Sequence, residues 1–201
     1  RDGSADVEAD QVAGHIAGQV TVTERKPDRG ESSVRVLVAC EFSGTVRRAF
    51  RAMGHDAWSC DLLPADDASQ FHLQRDVRDL LRIHILDRET RPSLWDLMIA
   101  HPPCTDLAVS GARHFAAKRA DGRQQAALAF VQELMDAPIQ RICIENPVSI
   151  ISTAIRKPDQ IIQPWMFGHG ETKATCLWLK GLPLLQPANI VSGREARIHK
   201  M

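Results

Sequence analysis

The stretch Asp96-Leu97-Met98-Ile99-Ala100-His101-Pro102-Pro103-Cys104-Thr105 narrows the choice of fold more than any other in the chain. Leu97 to Ala100 form a short apolar run of the kind a parallel sheet buries on both faces. Pro102-Pro103 ends it by removing two backbone donors and fixing φ. In open α/β sheets ligands bind just beyond the carboxyl ends of the strands, so the side chain of Cys104 faces the expected crevice. The competing reading is a buried, inert thiol, since free cysteine mostly packs as a small hydrophobe.

Similar runs recur along the chain, separated by helical patterns. Val34 to Cys40 is a β-branched run leading into Glu41-Phe42-Ser43-Gly44, and Thr45 to Met53 can wind as a helix stopped by Gly54. Strand, glycine turn and helix open many nucleotide-binding folds, in which a ligand approaches N–H groups at the helix start; an ordinary β–α connection reads the same way. Ala57 to Cys60 is a second strand ending in Asp61, placed where a carboxylate can accept from both ribose hydroxyls. A solvated loop acid is the alternative, as for Asp66 and Asp67. Asp76 would end a short third strand and could receive an amino group, with a helix running from Asp79 to Leu86. Gln124 to Met135 carries apolar residues at helical spacing. Pro138 to Ile144 is a further strand and delivers Glu145-Asn146-Pro147 at its end. Ser149 to Ile155 reads as a helix, Gln163 to Gly170 as an aromatic loop, and Thr175 to Leu179 as the last strand. The expected fold is α/β: a Rossmann-like sheet with helices on both faces.

At 201 residues and 44% hydrophobic content, residues 34–201 suffice for one domain. Residues 1–33 lack an apolar period and read as a mobile extension. No stretch of ~18 apolar residues and no leader pattern is visible, which points to a cytoplasmic protein without membrane contact. The five cysteines are widely spaced, with no C-x-x-C pair, so no metal site is expected. The formal charge is zero, and the seven acids and four bases of residues 1–33 leave 21 bases against 18 acids beyond them. Arg113, His114, Lys118, Arg119 and Arg123 crowd the segment after Cys104, where Ser110-Gly111 would act as a flexible joint. That basic loop suits phosphate contacts and closure over a substrate; a solvated face is equally consistent.

The order Phe42-Ser43-Gly44, Asp61, Asp76-Val77-Arg78-Asp79-Leu80, Pro102-Pro103-Cys104 and Glu145-Asn146-Pro147 resembles the DNA (cytosine-5)-methyltransferases. It is most similar to the short phage-encoded proteins of that superfamily, with P-P-C-T, E-N-P and T-K-x-T-x-L-W-L-K-G, over residues 34 to about 183. The resemblance implies S-adenosylmethionine as cofactor, with Phe42, Ser43 and Gly44 at its methionine end, Asp61 on the ribose, Asp76 on the adenine and Pro102 beside it. It makes Cys104 the nucleophile and Glu145 the group that binds N3 and the exocyclic amine of cytosine. C5 of cytosine is a poor nucleophile until a thiolate adds to C6, which is why the two blocks occur together. Asn146, Arg113, Lys118, Arg119 and Lys173 are the expected substrate contacts, and the partner is DNA, duplex or single-stranded, with a duplex base turned out of the stack.

The Q-x-R-x-R block of the family is not found, and Lys173 stands where a phosphate or base contact could replace it. Only 54 residues follow Pro147, so no large target-recognition region is expected within the chain, its carboxyl end reads as truncated, and a protein partner could supply recognition. A second reading takes His101-Pro102-Pro103-Cys104 as a variant of the motif of exocyclic-amino DNA methyltransferases. A third is a catalytically silent module that binds a nucleotide or nucleic acid.

Overall fold

The computed structural model describes residues 33–86 and 94–192. Most of the proposed extension at residues 1–33, and residues 193–201, lie outside the described residues.

One sheet of seven strands organises the chain, in the order β3-β2-β1-β4-β5-β7-β6. Its strands are β1 (Arg35–Ala39), β2 (Asp56–Asp61), β3 (His72–Gln74), β4 (Leu97–Ala100), β5 (Arg141–Pro147), β6 (Gln160–Ile162) and β7 (Thr175–Lys180). Strands β1 to β5 run parallel, and β7 is antiparallel to both β5 and β6. The Rossmann-like α/β architecture read from the sequence is present.

The parallel strands are apolar along their length because both faces are covered, as expected of a doubly wound sheet. Leu37, Ala39, Met98, Ala100, Ile142 and Ile144 point to one face and pack with Val77, Leu81, Val131 and Leu134. Those partners come from helices α2 (Val77–Leu86) and α4 (Arg123–Met135). The alternate residues Val36, Val38, Leu97, Ile99 and Cys143 point to the other face, against Val46 and Phe50 of helix α1 (Thr45–Ala52). On that face Phe167 and Leu185 cover the β7 end, where no long helix lies among the described residues.

Three local readings need correction. The helix expected from Asp79 starts at Val77, because Asp76 caps it: its Oδ1 accepts from the Arg78 N–H at 2.9 Å. The expected flexible joint at Ser110-Gly111 lies inside a 3₁₀ turn, Val109–His114, that runs straight into helix α3 (Phe115–Ala120). The aromatic loop is preceded by β6, a strand too short to show a period, and continues as a 3₁₀ turn over Pro164–Phe167. The remaining helix, α5, is a single turn, Ile151–Ala154.

The chain leaves β1 toward β2 and β3 on one side and places β4 and β5 on the other, so the order reverses between β1 and β4. Such a switch point opens a crevice at the carboxyl ends of the strands. Among the described residues no helix is long and apolar enough to cross a membrane.

Candidate active site

Two chain segments meet at this crevice. The turn after β1 begins at Cys40, which holds a left-handed backbone (φ 61°) and donates its N–H to Cys60 O at 2.8 Å. A non-glycine residue in that region is strained, and such strain persists only where its surroundings over-determine it. Glu41 follows, buried, with Oε1 accepting the Val46 N–H at 2.5 Å and Oε2 accepting the Arg47 N–H at 3.3 Å. Ser43 Oγ accepts the Thr45 N–H at 3.3 Å. The first three amides of α1 are therefore taken by the turn itself, which corrects the expectation that a ligand would use them. A phosphate placed there would meet a buried carboxylate instead of open donors. The turn selects against a dinucleotide and suits a ligand that brings positive charge.

The rest of this side agrees. Burial, followed by the charges of Asp61, Cys60 and Asp76, pushes the Cys40 thiol up to about 12, so the end of β1 lies in a negative field. Asp61 Oδ1 accepts the Leu63 N–H at 2.9 Å, and among the described residues no other hydrogen bond reaches that carboxylate. Asp76 is less open: both its oxygens accept from Arg78, at 2.9 and 2.5 Å for Oδ2. Gly44 (φ 71°) is required sterically, because a Cβ there would strike the guanidinium of Arg47. That arginine is only 1% exposed; it donates to Ser59 Oγ at 2.8 Å and pairs with Asp67, tying α1, β2 and the following loop beneath the turn. Burial opposes ionisation of Asp67, and the hydrogen bonds from Arg47 and Arg48 overcome it, so its carboxyl lies below the ordinary range.

On the other side, β4 and β5 are in register through Ala100 and Ile144, which sets His101 beside Glu145. His101 Nδ1 is 3.0 Å from Glu145 Oε2, with side chains 14% and 22% exposed. Burial pulls the His101 imidazolium down, but the hydrogen bond and charge of Glu145 and the charge of Glu41 more than offset it and hold it above its ordinary value. Asn146 Nδ2 donates to Pro102 O at 2.8 Å and so locks the Pro-Pro corner onto β5. The His101 N–H donates to Ala39 O at 3.0 Å, which joins this corner to β1.

Cys104 follows, half-buried, in a turn closed by Leu107 and Ala108 N–H groups on its carbonyl at 2.9 and 2.8 Å. Burial and the Glu145 charge push its thiol up, while the charges of Lys173 and Lys118 draw it down. The charges of Glu145 and of both lysines thus reach the Cys104 thiol. Cys104 follows the end of β4 by four residues, and Glu145 lies inside the neighbouring strand β5, one residue past its last partner on β4.

The expected substrate contacts divide. Lys173 donates its backbone N–H to Gln163 Oε1 at 2.8 Å, and its charge reaches Cys104. Lys118 is buried and committed to the chain: its ammonium binds Thr105 O and lies 3.3 Å from Asp106 Oδ1. It fastens the segment after Cys104 to α3. Arg113 and Arg119 are exposed, with Arg113 Nε donating to His114 Nε2 at 2.9 Å. Phe42 is half-buried and Pro102 buried beneath the corner. Sequence reading missed Glu41, His101 and Arg47. An acid directly after the first strand and a histidine directly before the prolines were the available signals.

Neither a family model nor a curated protein sequence matches the chain. Among solved structures, a candidate DNA modification methyltransferase encoded within a prophage (E. coli) is similar over 73% of this chain and 46% of its own, at 16% identity and a TM-score of 0.45. A SAM-dependent methyltransferase from Agrobacterium tumefaciens is similar over 69% of this chain and 44% of its own, at 12% identity and a TM-score of 0.39. The chain spans less than half the length of both.

Proposed function

We propose that the protein methylates C5 of cytosine in DNA through a thioether between Cys104 and C6 of the base. The observation that best supports this reading is that Cys104 follows by three residues the His101 ring, which lies 3.0 Å from Glu145 Oε2, and that the Glu145 charge reaches the thiol.

S-adenosylmethionine fits the β1–β2 side of the crevice: it carries a sulfonium and an ammonium and no phosphate, and Glu41 closes the helix start to phosphate while Asp61 keeps an oxygen for ribose hydroxyls. When bound, this cofactor supplies an electrophilic methyl group to an activated C5. The chain's own residues perform the activation. Cys104, as thiolate, adds to C6 and turns the ring into an enamine. Glu145 accepts from the exocyclic amine and delivers the proton that N3 takes up as electron density moves onto it. After transfer the C5 proton leaves to a base, and the electron pair released re-forms the C5–C6 double bond and expels Cys104. Asn146 holds the Pro102 carbonyl, and through it the corner that aims the thiol. Lys173, whose charge reaches Cys104, is a candidate for a phosphate or base contact.

The motif of exocyclic-amino enzymes needs its first residue to accept from the target amine, and here His101 is held by Glu145. Target recognition by a partner protein, in DNA of either strandedness, completes the reading.

The test is incubation of the full chain with methyl-labelled S-adenosylmethionine and DNA containing 5-fluorocytosine. A denaturation-resistant protein–DNA adduct carrying label, lost in Cys104→Ser, is the expected result. Methyl transfer to ordinary DNA that survives Cys104→Ser would overturn it.

A further inference from the structure

Glu145 is asked to do two things that a lone carboxylate cannot do together. An ionised carboxylate can accept from the exocyclic amine of cytosine, but it has no proton for N3. The structure puts a second group within reach. We propose that His101 acts through Glu145 as a positioning residue, holding the carboxylate by Nδ1–H and keeping in reserve the proton that Glu145 passes to N3. This deepens the cytosine C5 reading above and rests on it.

The geometry supports it in three ways. The Nδ1···Oε2 distance is 3.0 Å, and neither side chain is far into solvent. The other ring nitrogen, Nε2, is buried without a hydrogen-bond partner among the described residues, so the Glu145 contact is what fixes the ring. The charged groups acting on the ring come from two elements, Glu145 on β5 and Glu41 on the turn after β1, and both favour the imidazolium. Glu41, the cap of α1, therefore has a second effect, favouring the imidazolium form of a histidine 60 positions later in the chain.

The step balances. As Cys104 Sγ bonds to C6, the C5–C6 π pair becomes a C4–C5 bond and the C4–N3 π pair moves onto N3. N3 takes a proton from Glu145, Glu145 takes one from His101 Nδ1, and imidazolium becomes neutral imidazole. When Cys104 is expelled, the N3 proton returns along the same two groups. Nothing is oxidised or reduced.

The test is the pH dependence of single-turnover methyl transfer to a cytosine-containing duplex by the full chain. It compares the unaltered protein with His101→Asn, which keeps a donor near the Nδ1 position but cannot take up charge, and Glu41→Gln. The unaltered protein needs Cys104 ionised and His101 protonated, so its rate follows a bell. In His101→Asn the rate at neutral pH falls by ~100-fold, the scale of a lost acid, and the alkaline decline disappears, the rate rising until the thiol is fully ionised. In Glu41→Gln one limb moves to lower pH. A bell retained in His101→Asn, whether the rate is unchanged or uniformly lower, overturns the inference and leaves the C5 reading standing. Methyl transfer that survives Cys104→Ser overturns that reading, and this inference falls with it. Should His101→Asn not fold, as judged by thermal denaturation, the limb shift in Glu41→Gln decides: its absence overturns the inference.

Discussion

On the β1–β2 side of the crevice the chain satisfies its own polar groups. Glu41 and Ser43 cap α1, Arg47 binds Ser59 and Asp67, and Asp76 is held by Arg78. On the β4–β5 side lie the buried side-chain atoms that lack a hydrogen bond among the described residues, His101 Nε2, Asn146 Oδ1 and Ser149 Oγ, with Asp106 Oδ1 held only by its ion pairs to Lys118 and Arg123. Unpaired buried polar atoms are costly, and a chain keeps them where they serve something other than its own stability. Under the proposed function the first side is a preformed cradle and the second a reactive wall, and substitutions on the two sides should register in different measurements.

The largest effect belongs to the wall. Cys104→Ser should lower methyl transfer by ~10⁴-fold or more, the scale seen when a covalent nucleophile is removed. Its cofactor affinity, followed by calorimetry, should stay unchanged; a matching loss of cofactor binding would break the separation of the two sides. Next comes the cradle. Arg47→Met leaves Asp67 to Arg48 alone, takes a donor from Ser59 Oγ and removes the tie between α1 and β2, and should cost about 2 kcal/mol in urea unfolding. Asn146→Ala removes the bond to Pro102 O together with an unpaired oxygen, so its stability cost should be only about 1 kcal/mol. Its turnover should fall more steeply than its stability predicts, because the Pro-Pro corner is released.

The smallest expected effect is on acid stability. Asp67 and Asp76 have carboxyls held below the ordinary value by their arginines. Their contribution is present above the unfolded carboxylate range, near pH ~4, and is lost as pH falls through the folded values. Asp76→Asn keeps the cap and removes the charge pair, and because Asp76 and Arg78 are 29% and 44% exposed the loss at neutral pH should be about 0.5 kcal/mol or less. A pH titration of the melting temperature should show a slightly shallower acid decline for this variant.

Much of this was readable before any coordinates. The runs at Val34, Ala57, Leu97 and Ile139 declared a buried sheet because strands covered on both faces cannot alternate. Cys104 and Glu145 were singled out by the rule that strand ends carry the ligand; β4 and β5 are neighbours, but Glu145 lies within β5, which runs on to Pro147, because β7 pairs with it there. What stayed hidden depended on strand order. Glu41 acts on His101 only because β1 lies beside β4, and nothing local to either residue says so. Lys118 was read as a substrate contact or else one of several solvated cations, and its burial is decided by the Thr105 carbonyl and Asp106, whose positions follow from the turn at Cys104. The direction of β7 was equally illegible, since an apolar run does not reveal which way it is threaded.

Glu145 and Asn146 do not sit on a loop; they lie inside β5, opposite Leu177 and Cys176 of β7. Their main chain is stitched into the sheet, so it cannot swing to meet an incoming nucleotide. Amide hydrogen exchange at these two positions should require the opening of the sheet itself rather than fraying at a crevice rim. Under the proposed function, an acid anchored this way would work as a gauge: the base would have to bring its edge to the carboxylate, and a pyrimidine with the wrong pattern of donors would find nothing that rearranges to accommodate it.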